Sequence, residues 1–190
     1  YIRIQNFKSI RDLEITELEN ALILVGKNNT GKTNVIDAIL AATGYHTVCT
    51  EEFLDPQKSI DITLSIEFTE EDLQSYQTRG MVSRHRDYEK WLEEFRSLIP
   101  SFQDNTVTFT FHINPEHKVR YNDGFQKNNP YIREIFPKIY HIDQTRNLDT
   151  LQNDVFSFYD KESFEMLKDN TCTFDPARKC NRCFQCIGVI

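Results

Sequence analysis

Residues 21–36 read Ala-Leu-Ile-Leu-Val-Gly-Lys-Asn-Asn-Thr-Gly-Lys-Thr-Asn-Val-Ile. The apolar run Ala21 to Val25 leads into Gly26-Lys27-Asn28-Asn29-Thr30-Gly31-Lys32-Thr33, which fits G-x-x-x-x-G-K-[ST] without a mismatch. Beyond it, Val35, Ile36, Ile39 and Leu40 fall at helical spacing up to Ala42. The stretch therefore predicts a buried strand at Ala21 to Val25, a glycine-rich loop, and a helix from Thr33 to Ala42. Phosphate is bound by converging backbone N–H groups, which glycines leave unobstructed, and a helix N-terminus adds partial positive charge. Lys32 would reach the β- and γ-phosphates, and the Thr33 hydroxyl would ligate Mg²⁺.

Working outward, Ile2 and Ile4, then Leu13 and Ile15, alternate with polar residues around Asn6-Phe7-Lys8-Ser9, which predicts two short strands joined tightly. Ile60, Ile62, Leu64, Ile66 and Phe68 alternate with Asp61, Thr63, Ser65 and Glu67, and Val107, Phe109, Phe111 and Ile113 repeat that period of a half-buried strand. Between them Tyr88, Trp91, Leu92, Phe95, Leu98 and Ile99 mark an amphipathic helix closed by Pro100, read as core packing. A turn at Asn122-Asp123-Gly124 and a segment from Pro130 to Pro137 precede a short strand, Lys138 to Asp143. The fold class that follows is α/β, a sheet flanked by the Thr33 helix and an antiparallel sheet built from the alternating strands. There is no internal repeat and no low-complexity segment.

At 190 residues the chain has room for about one domain. Lys and Arg number 22 against 29 Asp and Glu, a formal charge of -7, which excludes a basic coat over the whole surface and confines any nucleic-acid contact to a local patch. No apolar run approaches the roughly 20 residues of a transmembrane helix, and Tyr1-Ile2-Arg3-Ile4-Gln5 is not a signal peptide. A cytoplasmic protein without membrane partners is expected. The start without Met and the stop at Gly188-Val189-Ile190 predict a longer natural chain.

Phe7-Lys8-Ser9, then Gly-Lys-Asn-Asn-Thr-Gly-Lys-Thr-Asn, then Ile36-Asp37-Ala38-Ile39, resembles the N-terminal half of the ABC-type ATPase heads of the SMC and RecF group of P-loop NTPases, most of all the OLD-like branch. The resemblance is close over residues 1–42 and returns weakly at 139–148. It implies an N-terminal antiparallel subsheet beside the nucleotide core, and ATP and Mg²⁺ as cofactors, bound at Gly26, Asn28, Asn29, Thr30, Gly31, Lys32, Thr33 and Asn34. It further implies that Lys8 approaches the nucleotide phosphates. Gln144, just past the Lys138 to Asp143 strand, resembles the Q-loop glutamine that touches Mg²⁺ and the attacking water, and with Lys32 it is the catalytic candidate. The same string also reads as a Walker B strand ending in Asp143, although Gln rather than Glu follows, or as a plain strand end. No Leu-Ser-Gly-Gly-like signature and no better hydrophobic run ending in Asp-Glu are present. Residues 1–168 are therefore read as a partial head.

Residues 169–190 form a distinct cysteine-rich segment. Cys172, Cys180, Cys183 and Cys186 make a C-x7-C-x2-C-x2-C array, and C-x2-C spacing brings two thiolates to one ion. Zn²⁺ held by four thiolates is the leading reading; an iron–sulfur cluster and unligated or redox-active thiols are the others. Such a closed tetrad would be structural, and Arg178, Lys179 and Arg182 among the cysteines could form a basic knob or neutralise it. Cys49, alone, reads as a buried apolar residue. Arg79, Arg84, His85 and Arg86 form a basic patch, read as a solvated loop that could touch DNA phosphates. The histidines show no metal spacing, and Asp37 reads as surface or packing.

Two functions are carried forward. The first is an ATPase in the full-length protein, this chain alone being inactive; it dimerises on ATP with a second head and controls DNA binding or an associated nuclease, in DNA repair or phage defence. The alternative is a nucleotide-gated interaction module with vestigial hydrolysis and a zinc-stabilised docking segment.

Overall fold

A computed structural model describes residues 1–16, 18, 21–27, 30–137 and 139. The chain divides into the unit Tyr1–Ile139 and a second unit, Tyr140–Ile190, which lies outside the described residues together with the expected boundary at 168/169.

The alternating N-terminal residues form the expected hairpin. Strand β1 (Ile2–Phe7) pairs antiparallel with β2 (Ile10–Ile15) from Ile2↔Ile15 to Phe7↔Ile10, so the connection is the two-residue turn Lys8-Ser9. Lys8 has φ +50°, the left-handed conformation such tight turns require. Asn6, at φ +60°, leaves the regular strand conformation within β1. Its buried amide donates to the carbonyls of Asp55, Lys58 and Ser59 at 3.0, 2.9 and 3.2 Å, and its Oδ1 accepts the Asp55 N–H at 2.7 Å. Asparagine tolerates this conformation, and here its side chain pins the 54–59 loop to the sheet.

On its other edge β1 pairs with β3 (Ile60–Glu67), β3 pairs with β5 (Thr106–Ile113), and β5 is flanked by β4 (Phe102–Gln103) and β6 (Val119–Asn122). All pairings are antiparallel and the order is β2-β1-β3-β5-β4. The period of two sorts the faces. Ile4, Ile60, Ile62, Leu64, Val107 and Phe109 are buried, while the opposite face carries a polar ladder, Thr63 to Thr110 at 2.9 Å and Ser65 to Thr108 at 2.8 Å.

Helix α1 (Lys32–Ala42) lies against β1 and β3, burying Val35, Ala38, Leu40, Ala41 and Ala42. Two further helices, α2 (Glu70–Thr78) and α3 (Tyr88–Leu98), join the same core. Helix α3 has the expected bounds and buries Trp91 and Phe95, with Phe95 edge-on to Phe102 and Phe68 at centroid separations of 5.1 and 6.5 Å. Helix α2 was not anticipated. It opens on a capping box in which the Thr69 hydroxyl accepts the Asp72 N–H and the Asp72 carboxylate accepts the Thr69 N–H.

Two expectations are corrected. Ala21 to Val25 is not a buried strand: it carries no strand pairing, and Ile23 and Val25 are 82% and 89% exposed. An apolar run becomes a strand only beside another strand, and among the described residues none pairs with it. Cys49 is exposed rather than buried, because it leads into a surface 3-10 turn, Thr50–Glu52, where its N–H bonds to the Glu52 carboxylate at 3.0 Å. The strand expected at Lys138 to Asp143 lies almost wholly outside the described residues.

Candidate functional site

The loop and helix of the phosphate motif are present, and their local geometry follows from the two glycines. Gly31 is the N-cap of α1 at φ +88°, and a Cβ there would stand 3.3 Å from the Ser9 hydroxyl. At Gly26 a Cβ would stand 2.9 Å from Thr30 Oγ1, too close for any side chain without displacing the threonine. Gly31 has no side chain with which to cap the helix, and the first turn of α1 holds no acidic residue. The N-terminal N–H groups and the positive end of the helix dipole thus face the loop without a protein carboxylate to compensate them.

The Lys32 ammonium lies inside the loop. It donates to the carbonyls of Gly26 at 2.8 Å and Lys27 at 2.6 Å and approaches Thr30 Oγ1 at 3.4 Å, while Thr30 Oγ1 donates to the Lys27 carbonyl at 2.9 Å. All of these partners are neutral. A cation held, among the described residues, by carbonyl and hydroxyl dipoles, next to an uncapped helix start, is a site whose chemistry favours an oxyanion; a phosphate would gain charge-assisted bonds from the ammonium and the amides together. Thr33, the first residue after Lys32 in α1, is exposed. Asn28 and Asn29 lie outside the described residues.

The Lys8-Ser9 turn sits on this helix start. Asn34 Nδ2 donates to Ser9 Oγ at 2.8 Å, and farther along α1 Asp37 Oδ2 meets the Lys8 ammonium at 2.6 Å. The ammonium also meets Glu52 Oε1 at 3.1 Å, and the Lys8 N–H donates to the Glu52 carbonyl at 2.6 Å. His46 Nε2 lies 2.8 and 2.9 Å from the two Glu52 carboxylate oxygens. Burial opposes ionisation of both Lys8 and Glu52, yet their bonds overcome it. Asp37 and Glu52 raise the Lys8 ammonium above its ordinary value, while the Cys49 amide, Lys8 and His46 lower the Glu52 carboxyl.

Sequence reasoning named Lys8 and the loop but missed the partners that surround Lys8. Asp37, read as surface or packing, is an ion-pair partner. It stands four residues after Thr33, on the same face of α1, which is the signal that could have drawn attention to it. Glu52 and His46 had no such signal.

The basic patch is distributed over the end of α2 and the loop into α3. Arg79 stacks over Tyr76 at 5.1 Å, His85 pairs with Glu94 at 3.0 Å, and Gln77 donates to the carbonyls of His85 and Arg86 at 3.3 and 2.8 Å. Arg84, His85 and Arg86 are exposed, as a solvated loop requires. Gln144, Asp143 and the cysteines Cys172, Cys180, Cys183 and Cys186 lie outside the described residues. Among the described residues no group of three or more His, Cys, Asp or Glu could hold a metal ion, and no helix is long and apolar enough to cross a membrane.

No curated protein sequence is significantly similar to the chain. A solved structure from work on the structural biochemistry of ATP-driven dimerization and DNA-stimulated activation of SMC ATPases is similar at 17% identity and a TM-score of 0.48, over 90% of this chain and 97% of that chain. The family model described as an AAA ATPase domain matches residues 1–181, which takes in the hairpin, the phosphate loop and the antiparallel sheet. The ATPase head read from the sequence stands on that match: the chain belongs to the AAA ATPase domain family.

Proposed function

We propose that this chain is the nucleotide-binding part of an SMC- and OLD-like ATPase head that dimerises on ATP and controls DNA binding or an associated nuclease, in DNA repair or phage defence. The observation that carries the reading is the Lys32 ammonium enclosed by neutral loop groups at the uncapped start of α1. In this reading Gly26, Asn28, Asn29, Thr30, Gly31, Lys32 and Asn34 hold the phosphates of ATP, with Lys8 approaching from the hairpin. Thr33 and Gln144 would hold Mg²⁺. The metal would supply charge neutralisation of the phosphates, and the chain's own contribution is to bind and orient them. Cys172, Cys180, Cys183 and Cys186 would hold a structural Zn²⁺ in the segment that follows.

Sedimentation velocity and phosphate release test the reading on the 190-residue chain. It is expected to bind Mg²⁺·ATP weakly and to turn over negligibly, because no signature motif and no clear Walker B carboxylate are in its sequence. Joining it to a chain that supplies those motifs should produce an ATP-dependent dimer with measurable turnover. Robust Mg²⁺-dependent turnover by the 190 residues alone, lost in Lys32→Ala, would contradict this division of labour, and a dimer indifferent to ATP would contradict the switch.

A further inference from the structure

Lys8 and Lys32 are held in opposite ways. Among the described residues Lys32 has only neutral partners, whereas the Lys8 ammonium bridges two carboxylates, Asp37 at 2.6 Å and Glu52 at 3.1 Å. The backbone that carries Lys8 does not depend on those ion pairs. Its turn is closed by the β1–β2 ladder up to Phe7↔Ile10, by the Lys8 N–H on the Glu52 carbonyl, and by Ser9 on Asn34. The ammonium sits at the end of a four-carbon stem and can change partners while the turn stays in place.

The carboxylates are arranged to let it go. Glu52 retains two other partners, the Cys49 N–H at 3.0 Å and His46 Nε2 at 2.8 Å, so losing Lys8 does not leave it unpaired. Asp37 would also lose the ammonium, but its side chain is 20% exposed, so water can reach it. Asp37 lies one helical turn beyond Thr33 on the same face of α1, and one turn is about 5.4 Å. The parked ammonium therefore stands close behind the helix start where phosphate charge would accumulate.

We propose that Asp37 and Glu52 are positioning residues that park the Lys8 ammonium behind the phosphate loop, and that a bound nucleoside triphosphate takes this cation over while the turn stays fixed. The inference rests on the loop being a nucleotide site, and it adds a cost to binding that the two carboxylates impose. Neutralising Asp37 lowers that cost and tightens binding, but only when Lys8 is there to be released.

The test is titration of the full 190-residue chain with a fluorescent ATP analogue in Mg²⁺. Asp37→Asn is expected to tighten binding about two- to fivefold, the range set by one partly exposed ion pair. Lys8→Met should weaken it, and Asp37→Asn placed in the Lys8→Met background should then change nothing. Glu52→Gln should act in the direction of Asp37→Asn and serves as the second variant should that protein fold poorly by circular dichroism. Weaker binding in Asp37→Asn would mean that the carboxylate aims the lysine rather than parking it. Equal tightening with and without Lys8 would mean that Asp37 acts only as a repelling charge. Either result overturns the proposal and leaves the nucleotide site standing. Binding unaffected by Lys32→Ala would remove the nucleotide site itself, and the proposal with it.

Discussion

The strands of the antiparallel sheet, about half apolar, and the wholly apolar run Ala21 to Val25 have opposite fates. In β1, β3 and β5 the alternating apolar residues are buried against helices while each strand is paired. Leu22, Ile23 and Val25 instead stand in solvent without a ladder. An apolar pattern states what a segment can bury, but a strand also needs a neighbour for its backbone N–H and C=O groups. The sheet finds its neighbours within residues 1–122; the run before the phosphate loop does not find one among the described residues. The described loop residues nevertheless gather around Lys32, because their geometry depends on Gly26, Gly31 and the start of α1 rather than on a completed ladder.

That contrast can be broken or sharpened by substitution. Phe95 is fully buried between Trp91, Phe68 and Phe102, so Phe95→Ala should cost about 3–5 kcal/mol of unfolding free energy, measured by urea denaturation. A loss below about 1 kcal/mol would mean that the aromatic cluster is not a packed core. Asn6→Ala removes the bonds to Asp55, Lys58 and Ser59 and leaves alanine in the left-handed region, and should cost about 2–3 kcal/mol. Asn6→Gly should recover part of it by relieving the backbone.

A smaller effect depends on pH. The folded Glu52 carboxyl lies below its ordinary 4.5, so its stabilisation is complete above that value and is lost as pH falls through the folded value. The folded Lys8 ammonium lies above its ordinary 10.5, so its share is complete below that pH and is lost as pH rises through the folded value. Glu52→Gln should therefore flatten part of the acid limb of a melting-temperature profile, while the exposed carboxylates Asp12, Asp55 and Asp72, also lowered, keep the rest. An acid limb unchanged in Glu52→Gln would contradict the pairing. Smallest of all, Ile23→Ser should leave the unfolding free energy within about 0.5 kcal/mol of wild type, since Ile23 is 82% exposed. A loss as large as that of Phe95→Ala would mean that residues 21–25 are packed after all.

What could be read in advance was local. The hairpin was legible because Ile2 and Ile4 before the turn and Leu13 and Ile15 after it each keep a period of two, and α3 because its apolar residues recur along more than two helical turns. Helix α2 was missed because its nine residues carry only Leu73 and Tyr76 on the buried face, too few to show a period, although Thr69 and Asp72 spelled a capping box. The phosphate loop was legible residue by residue. The groups that surround Lys8 were not, because Asp37 and Glu52 reach it from the middle of α1 and from the connection that follows, with His46 on Glu52 behind them, and nothing in a linear sequence says which carboxylate a lysine will meet. Cys49 was misjudged for the converse reason, as its apolar character says nothing about a place beside a surface turn.

The central claim is that the loop opening α1 binds nucleotide phosphate through Lys32, and equilibrium titration of the chain with a fluorescent ATP analogue in Mg²⁺ tests it most directly. Saturable binding that competes with unlabelled ATP and is lost in Lys32→Ala is expected, with the circular dichroism of the variant unchanged because, among the described residues, the Lys32 side chain bonds only within its own loop. Binding of equal affinity in Lys32→Ala, or no binding to the folded wild-type chain at any accessible concentration, would contradict it.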